Sequence, residues 1–154
     1  MTRTVLSFVA RLLISAEFAN AALGKAFGWS GQAAYMASHG LPMIPVLLAA
    51  ALVIEAVGVV CLITGFQARP AALVMAGYLA IVTVTLHDFW RASGNLAGLQ
   101  QTEFLKNLGI IGGLLMIGAY GPARSFSAHP RLAGSSGADP SAAGGAWRET
   151  GRPR

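Results

Sequence analysis

Residues 42–65 read PMIPVLLAAALVIEAVGVVCLITG, an unbroken apolar run with one ionisable side chain, Glu55, near its middle. A bilayer's hydrocarbon core is about 30 Å thick and takes roughly 20 residues of helix to cross. The run meets that length and reads as a transmembrane helix. Three other apolar runs repeat the pattern, each with polar groups of its own. Residues 1–24 hold Arg11, Glu17 and Asn20, with Lys25 following; residues 71–86 lead into His87 and Asp88; residues 104–121 open with Lys106 and Asn107. A charge at the centre of a span costs roughly 2.5–3.5 kcal/mol even on lenient insertion scales. Such costs imply that the charges face one another inside a bundle. The expected fold class is all-α, an integral membrane four-helix bundle.

Composition agrees with that expectation. The 154 residues are 55% hydrophobic and only 11% charged, too few charges to cover a soluble domain. The net charge of +5 invites a nucleic-acid function, but the basic residues fall singly at helix ends or in the C-terminal tail and form no stripe. They read as topology signals. Arg3, Arg69, Arg124 and Arg131 fall on one side; Lys25 and Arg91, with Lys106 close by, fall on the other. The bias predicts cytoplasmic N and C termini. The first run is too long for a signal peptide and is interrupted by Arg11 and Glu17, so it reads as a retained helix despite the small residues around Asn20. A lone cysteine, Cys61, excludes internal dithiol–disulfide chemistry and reads as a packing residue.

The predicted spans are about 4–24, 42–65, 70–87 and 103–121, making residues 1–122 one domain. Pro42 and Pro45 suit the first turn of the second span. Between the first two, Ser30 is expected to cap a short interfacial helix running to Met36 and ended by Gly40 and Pro42. Trp29 and Tyr35 there suit an aromatic belt, as do Phe89 and Trp90 further on. The connection Phe66 to Pro70 is short, which makes the second and third spans antiparallel neighbours. Arg91 to Thr102 reads as a polar loop, with Thr102 capping the last helix. Residues 123–154 turn to Gly, Ser, Ala, Pro and Arg, and are expected to be a disordered cytoplasmic tail.

Helical spacing predicts which faces meet. Ala51, Glu55, Gly58 and Gly65 share one face; Ala76, Ala80, Thr83 and His87 another; Lys106, Gly109 and Gly113 a third. Small residues let helices approach closely in lipid. Arg11 lies about 120° from Glu17 around the first helix, so it serves a different partner. At about 1.5 Å per residue, Arg11 sits about 10 Å and Glu55 about 15 Å deep, which predicts an Arg11–Glu55 pair. The alternative for Arg11 is snorkelling to the headgroups. Glu17 with Lys106, His87 nearby, is the expected outer cluster. Lys25, Asp88 and Arg91 read as interfacial. Glu55 is too deep to reach water, and so must be paired, protonated or beside a water-filled cavity. The predicted ligand-binding set is Arg11, Glu17, Asn20, Glu55, His87, Lys106 and Asn107, with Glu17, Glu55 and His87 as catalytic candidates. No ligand spacing supports a metal site, one shared by His39 and His87 included, and His39 and His129 fall on opposite sides, which argues against a haem held between them.

In order, these features resemble the DoxX family of small four-helix membrane proteins. The likeness rests on Arg11 with apolar flanks, Gly24-Lys25, Glu55-Ala56-Val57-Gly58, Gly65-Phe66-Gln67-Ala68-Arg69, His87-Asp88-Phe89-Trp90 and Phe104-Leu105-Lys106-Asn107. It spans residues 5–121. The resemblance implies a multi-pass bacterial inner (plasma) membrane location and association with redox systems, since relatives include the membrane subunit of thiosulfate:quinone oxidoreductase. Three functions compete. One is an oxidoreductase subunit offering a quinone site, with Lys106 and His87 on the head group and Glu17 or Glu55 relaying protons. Its donor-oxidising cofactor would lie on a soluble or membrane partner subunit. The second is a scaffold without its own ligand. The third is a small transporter, which needs a homo-oligomer for room.

Overall fold

The computed structural model describes residues 2–121; the expected tail, with Arg124, His129 and Arg131, lies outside the described residues. Five helices follow one another: α1 (Thr2–Phe27), α2 (Trp29–Ser38), α3 (Ile44–Thr64), α4 (Ala68–Leu86) and α5 (Asn95–Tyr120). All but α2 are long and apolar enough to cross a membrane. Their outward faces suit lipid, with Val5, Leu13, Val53, Val60, Ile81 and Met116 each more than half exposed. A water-soluble bundle of this size would not spread so continuous an apolar surface.

The helix ends show where backbone chemistry overrode the apolar pattern. Gly24 does not stop α1, which continues to Phe27. Pro42 falls outside α3, whose first turn takes only Pro45. Gly65, at φ +77°, closes α3 with its N–H on the Cys61 carbonyl at 2.9 Å, a conformation that favours glycine. Ala68, Arg69 and Pro70 already belong to α4, because Pro is well placed where helical N–H groups have no partner anyway. The largest departure is α5, which begins at Asn95 behind Gly94 and not near Thr102. Thr102 is no cap. Its hydroxyl donates back to the Gly98 carbonyl at 2.9 Å, the bond Thr makes inside a helix.

The helices pack in the order α1–α3–α4–α5, with α4 on α5 the most extensive contact. By contrast, α1 and α5 touch only sparsely, while α2 lies against α3 and α1. The core is Phe18, Leu62, Met75, Leu79, Leu114 and Ile117 with alanines between them. Along α3 the buried side is Leu48, Ala51, Glu55, Gly58 and Leu62, which contains the predicted stripe apart from Gly65. On α4, Ala76 and Thr83 are buried but Ala80 is exposed. The predicted α5 stripe is also displaced: Asn107, Leu114, Ile117 and Gly118 are buried, while Lys106 and Gly109 are exposed. The reason is that α5 packs on α4, which turns Lys106, Gly109 and Gly113 toward the thin seam with α1. Close helix approach falls at Gly58, Gly113 and Gly118, where a Cβ would run into Met75, Ile14 and Leu73 respectively.

Candidate functional site

Side chains on an α-helix lean toward its N-terminus, and α1 and α3 are antiparallel. The lean decides which cation meets Glu55. On α1, Lys25 and Arg11 both point back along the helix, each reaching the carbonyl four residues earlier: Nζ to Ala21 at 3.4 Å and Nε to Ser7 at 3.3 Å. Glu55 on α3 leans the opposite way, toward the α2 end. Lys25 therefore comes down onto it, with Nζ 2.8 Å from Oε1. The side chain of Glu55 is 3% exposed and that of Lys25 15%. Tyr78 of α4 donates its hydroxyl to the same Oε1 at 2.7 Å.

The predicted Arg11–Glu55 pair is absent. Arg11 is buried, but its Nη1 donates to the Leu62 carbonyl at 2.7 Å, near the C-terminal end of α3. Carbonyls in a helix's last turn lack intrahelical partners and carry the negative end of its dipole, so a guanidinium satisfies both. It also lies over the Phe8 ring, 5.6 Å from the centroid. Arg69 does the same for α5, donating to Gly118 at 3.0 Å and Ala119 at 2.9 Å. Neither arginine lines the cavity described next.

Lys106 Nζ lies 2.9 Å from Glu17 Oε1 across the α1–α5 seam, and close to Glu103 on its own helix. At the α2 end, a chain of hydrogen bonds ties three elements together. Tyr35 donates its hydroxyl to the Leu86 carbonyl at 2.6 Å and accepts from Gln100 Nε2 at 3.0 Å. Gln100 Oε1 is then left to accept from His87 Nδ1, 2.9 Å away. Tyr35 thus turns its hydroxyl inward onto α4 and α5. Asp88 is drawn into this end too, 3.7 Å from His39 Nε2 and 3.7 Å from Arg91 Nη1.

These groups border a cavity of about 600 Å3 between the helices and beneath α2. Its ionisable wall is Glu17, Lys25, Tyr35, Glu55, Tyr78, His87, Glu103 and Lys106, with Gln32 and Thr85 beside them. Asn107, buried, and Asn20, largely exposed, also line it. Most of the remaining wall is apolar, as at Phe18, Leu48, Ile54 and Leu79. A shallower cleft of about 370 Å3 lies along the α1–α5 seam by Leu13, Ile14 and Gly109, sharing Glu17, Lys106 and Ile110 with the cavity. Among the predicted site residues, then, only Arg11 stands apart. Sequence reasoning missed Lys25, Tyr78 and Gln100. The lean of antiparallel side chains would have exposed Lys25; the other two carry no signal before α4 and α5 are placed. Glu55 Oε2 has no hydrogen-bond partner and, with Ser15 Oγ, is one of two such buried side-chain atoms among the described residues. No group of three His, Cys, Asp or Glu converges as a metal site among those residues.

The DoxX family model matches residues 6–88, which takes in α1 to α4 with Lys25, Glu55, Tyr78 and His87. The chain belongs to the DoxX family. Among its relatives, this DoxX chain is 32% identical over 120 residues to inner membrane protein YphA of Escherichia coli K12, covering 78% of the chain and 86% of the relative. It is 33% identical over 116 residues to inner membrane protein YqjF of the same organism, covering 74% and 82%. A shorter similarity, 29% over 65 residues, reaches the yeast ER-derived vesicles protein ERV29, covering 42% of the chain and 21% of that protein. No solved structure gives a significant match. With its four spans, this DoxX chain is a multi-pass protein of the bacterial inner membrane, in contact with the lipid bilayer.

Proposed function

We propose that this DoxX chain is the membrane subunit of a redox complex and holds a ligand of the quinone class in the cavity among its helices. One observation carries the reading: a buried carboxylate, Glu55, with its lysine and tyrosine partners, forms the wall of an otherwise largely apolar cavity of about 600 Å3. That volume falls within the roughly 300–1,000 Å3 of small-molecule sites, and a few convergent polar groups on apolar walls are their usual chemistry. A bound quinone or quinol supplies two-electron, two-proton carrier chemistry. The chain's own residues anchor the polar head at the Glu55 and His87 corners, exclude water with α2, and leave the α1–α5 cleft for an apolar tail. The partner subunit carries the donor-oxidising cofactor. Both termini face the cytoplasm in this scheme, as the bias of Arg3, Arg69, Arg124 and Arg131 in the sequence against Lys25 and Arg91, with Lys106 close by, supports.

Titration of the purified protein in nanodiscs with short-tailed ubiquinone and menaquinone analogues, in both redox states, tests the reading. Saturable one-to-one binding is expected; wild-type protein that binds neither form of either analogue refutes it. A scaffold role is supported by the Arg11 and Arg69 caps, which stitch helices together away from the cavity. Affinity capture from mild detergent separates the two: a scaffold brings down a stoichiometric partner whose capture survives Glu55→Gln and whose presence needs no quinone-class ligand.

A further inference from the structure

The helices close firmly round the cavity on three sides and barely meet on the fourth. α3 packs along α1 and α4, and α4 along α5, whereas α1 and α5 touch only sparsely. The outer mouth is roofed by Gln32, Tyr35 and Met36 of α2. Tyr35 ties that roof to the Leu86 carbonyl at 2.6 Å and to Gln100 at 3.0 Å, and His39 at its end lies 3.7 Å from Asp88. The α1–α5 seam is shut lower down, where Ile14 leaves no room for a Cβ on Gly113. Above that contact it opens into the cleft of about 370 Å3, which shares Glu17, Lys106 and Ile110 with the cavity. The two spaces therefore meet at the Glu17–Lys106 pair. The far edge of the cleft is open to lipid, since Leu13 and Gly109 are exposed and a Cβ on Gly109 would meet nothing.

We propose that the ligand enters and leaves this cavity sideways, from the bilayer, between α1 and α5, and that the Glu17–Lys106 ion pair is the latch on that portal. The proposal rests on the quinone-class reading and names the route by which the site is filled. Lys106 has a carboxylate on each side of the seam: Glu17 on α1 at 2.9 Å and Glu103 on its own helix at 2.6 Å. It can release Glu17 and stay neutralised by Glu103. Asn20, one turn along α1 and also lining the cavity, stands where its amide can receive the freed carboxylate. The buried Lys25–Glu55 pair has no second carboxylate to turn to, and stays closed. At about 1.5 Å per residue, Glu17 lies about 15 Å from the Phe27 end of α1 and Lys106 about 16 Å from the Asn95 end of α5, so the latch sits at one depth inside the hydrocarbon core. A ligand dissolved in the bilayer reaches that depth without crossing water, and its tail keeps to the lipid-facing cleft.

The full chain in nanodiscs is mixed rapidly with a decyl-benzoquinone, and arrival and departure are followed by quenching of its tryptophans. Two clamps are made in a Cys61→Ala background, each compared with its own unclamped form. Glu17→Cys with Lys106→Cys bridges the seam, Tyr35→Cys with Gln100→Cys bridges the roof, and a short, reducible thiol-to-thiol crosslinker closes either. The seam clamp is expected to slow arrival and departure together by about tenfold or more, reversibly on reduction, while the roof clamp leaves both rates within about twofold. Glu17→Gln keeps the side chain's shape but loosens its hold on Lys106, and should raise both rates by a similar factor, about threefold. This variant decides the matter if the cysteine pairs fail to fold. A seam clamp that leaves the rates alone, or weakens binding without slowing departure, overturns the portal, as does slowing by the roof clamp. Glu17→Gln that changes neither rate, or speeds departure alone, overturns it too. In each of these cases the quinone-class reading stands; absence of binding by the unclamped wild type overturns both.

Discussion

Replacing Lys25 with Met should destabilise the bundle severely, and adding Glu55→Gln should restore much of the loss. The structure sets the scale. Lys25 and Glu55 form a 2.8 Å ion pair with side chains 15% and 3% exposed. Removing one member of a buried pair leaves the other charge without compensation and costs about 3–5 kcal/mol. Lys25 keeps some contact with the cavity, and Tyr78 still donates to Oε1 after the change, so the lower end applies: about 3 kcal/mol, a shift of roughly a hundredfold in the folded population. The double variant Lys25→Met with Glu55→Gln carries no uncompensated charge and should recover about 2 kcal/mol of that loss, a coupling of the size seen between contacting residues. Unfolding of the detergent-solubilised protein by SDS, followed by circular dichroism, gives all four corners of the cycle. The reasoning fails if Lys25→Met lies within about 0.5 kcal/mol of wild type, or if the double variant loses the sum of the two single losses.

Arg11→Gln should cost about 1.5–3 kcal/mol through the lost charged hydrogen bond to the Leu62 carbonyl, while ligand affinity stays at the wild-type value, because Arg11 is not in the cavity wall. The same unfolding assay and the nanodisc titration read the two quantities separately. Gly109→Leu and Gly112→Leu both place a side chain where nothing lies within 4 Å of the Cβ, so both should fold. Only Gly109 lines the seam cleft, and its variant should weaken ligand binding by about tenfold while Gly112→Leu leaves it unchanged. Tyr35→Phe removes the hydroxyl linking α2 to Leu86 and Gln100; a loss of about 1 kcal/mol is expected, seen as faster hydrogen–deuterium exchange in α2.

Periodicity and length alone determined the four spans, the short α2 and the inward stripe of Ala51, Glu55 and Gly58, because a bilayer demands long apolar helices and punishes a central charge facing lipid. The likeness to DoxX proteins was legible in the order of local motifs for the same reason: those motifs sit at helix ends and on stripes that the chain cannot rearrange. Partner choice was legible only in part: the expected Glu17–Lys106 contact forms at 2.9 Å, but the partner of Glu55 was misread. Cα depth put Arg11 beside Glu55, whereas side chains several ångströms long, leaning in opposite senses on antiparallel helices, handed Glu55 to Lys25 and Arg11 to the end of α3. The α5 stripe was misjudged because its inward face depends on whether the helix packs on α4 or α1, and a one-dimensional pattern with small residues all round does not say which. Tertiary packing decided that choice, and with it the thin α1–α5 seam, the cavity beside it and the unpaired oxygen of Glu55.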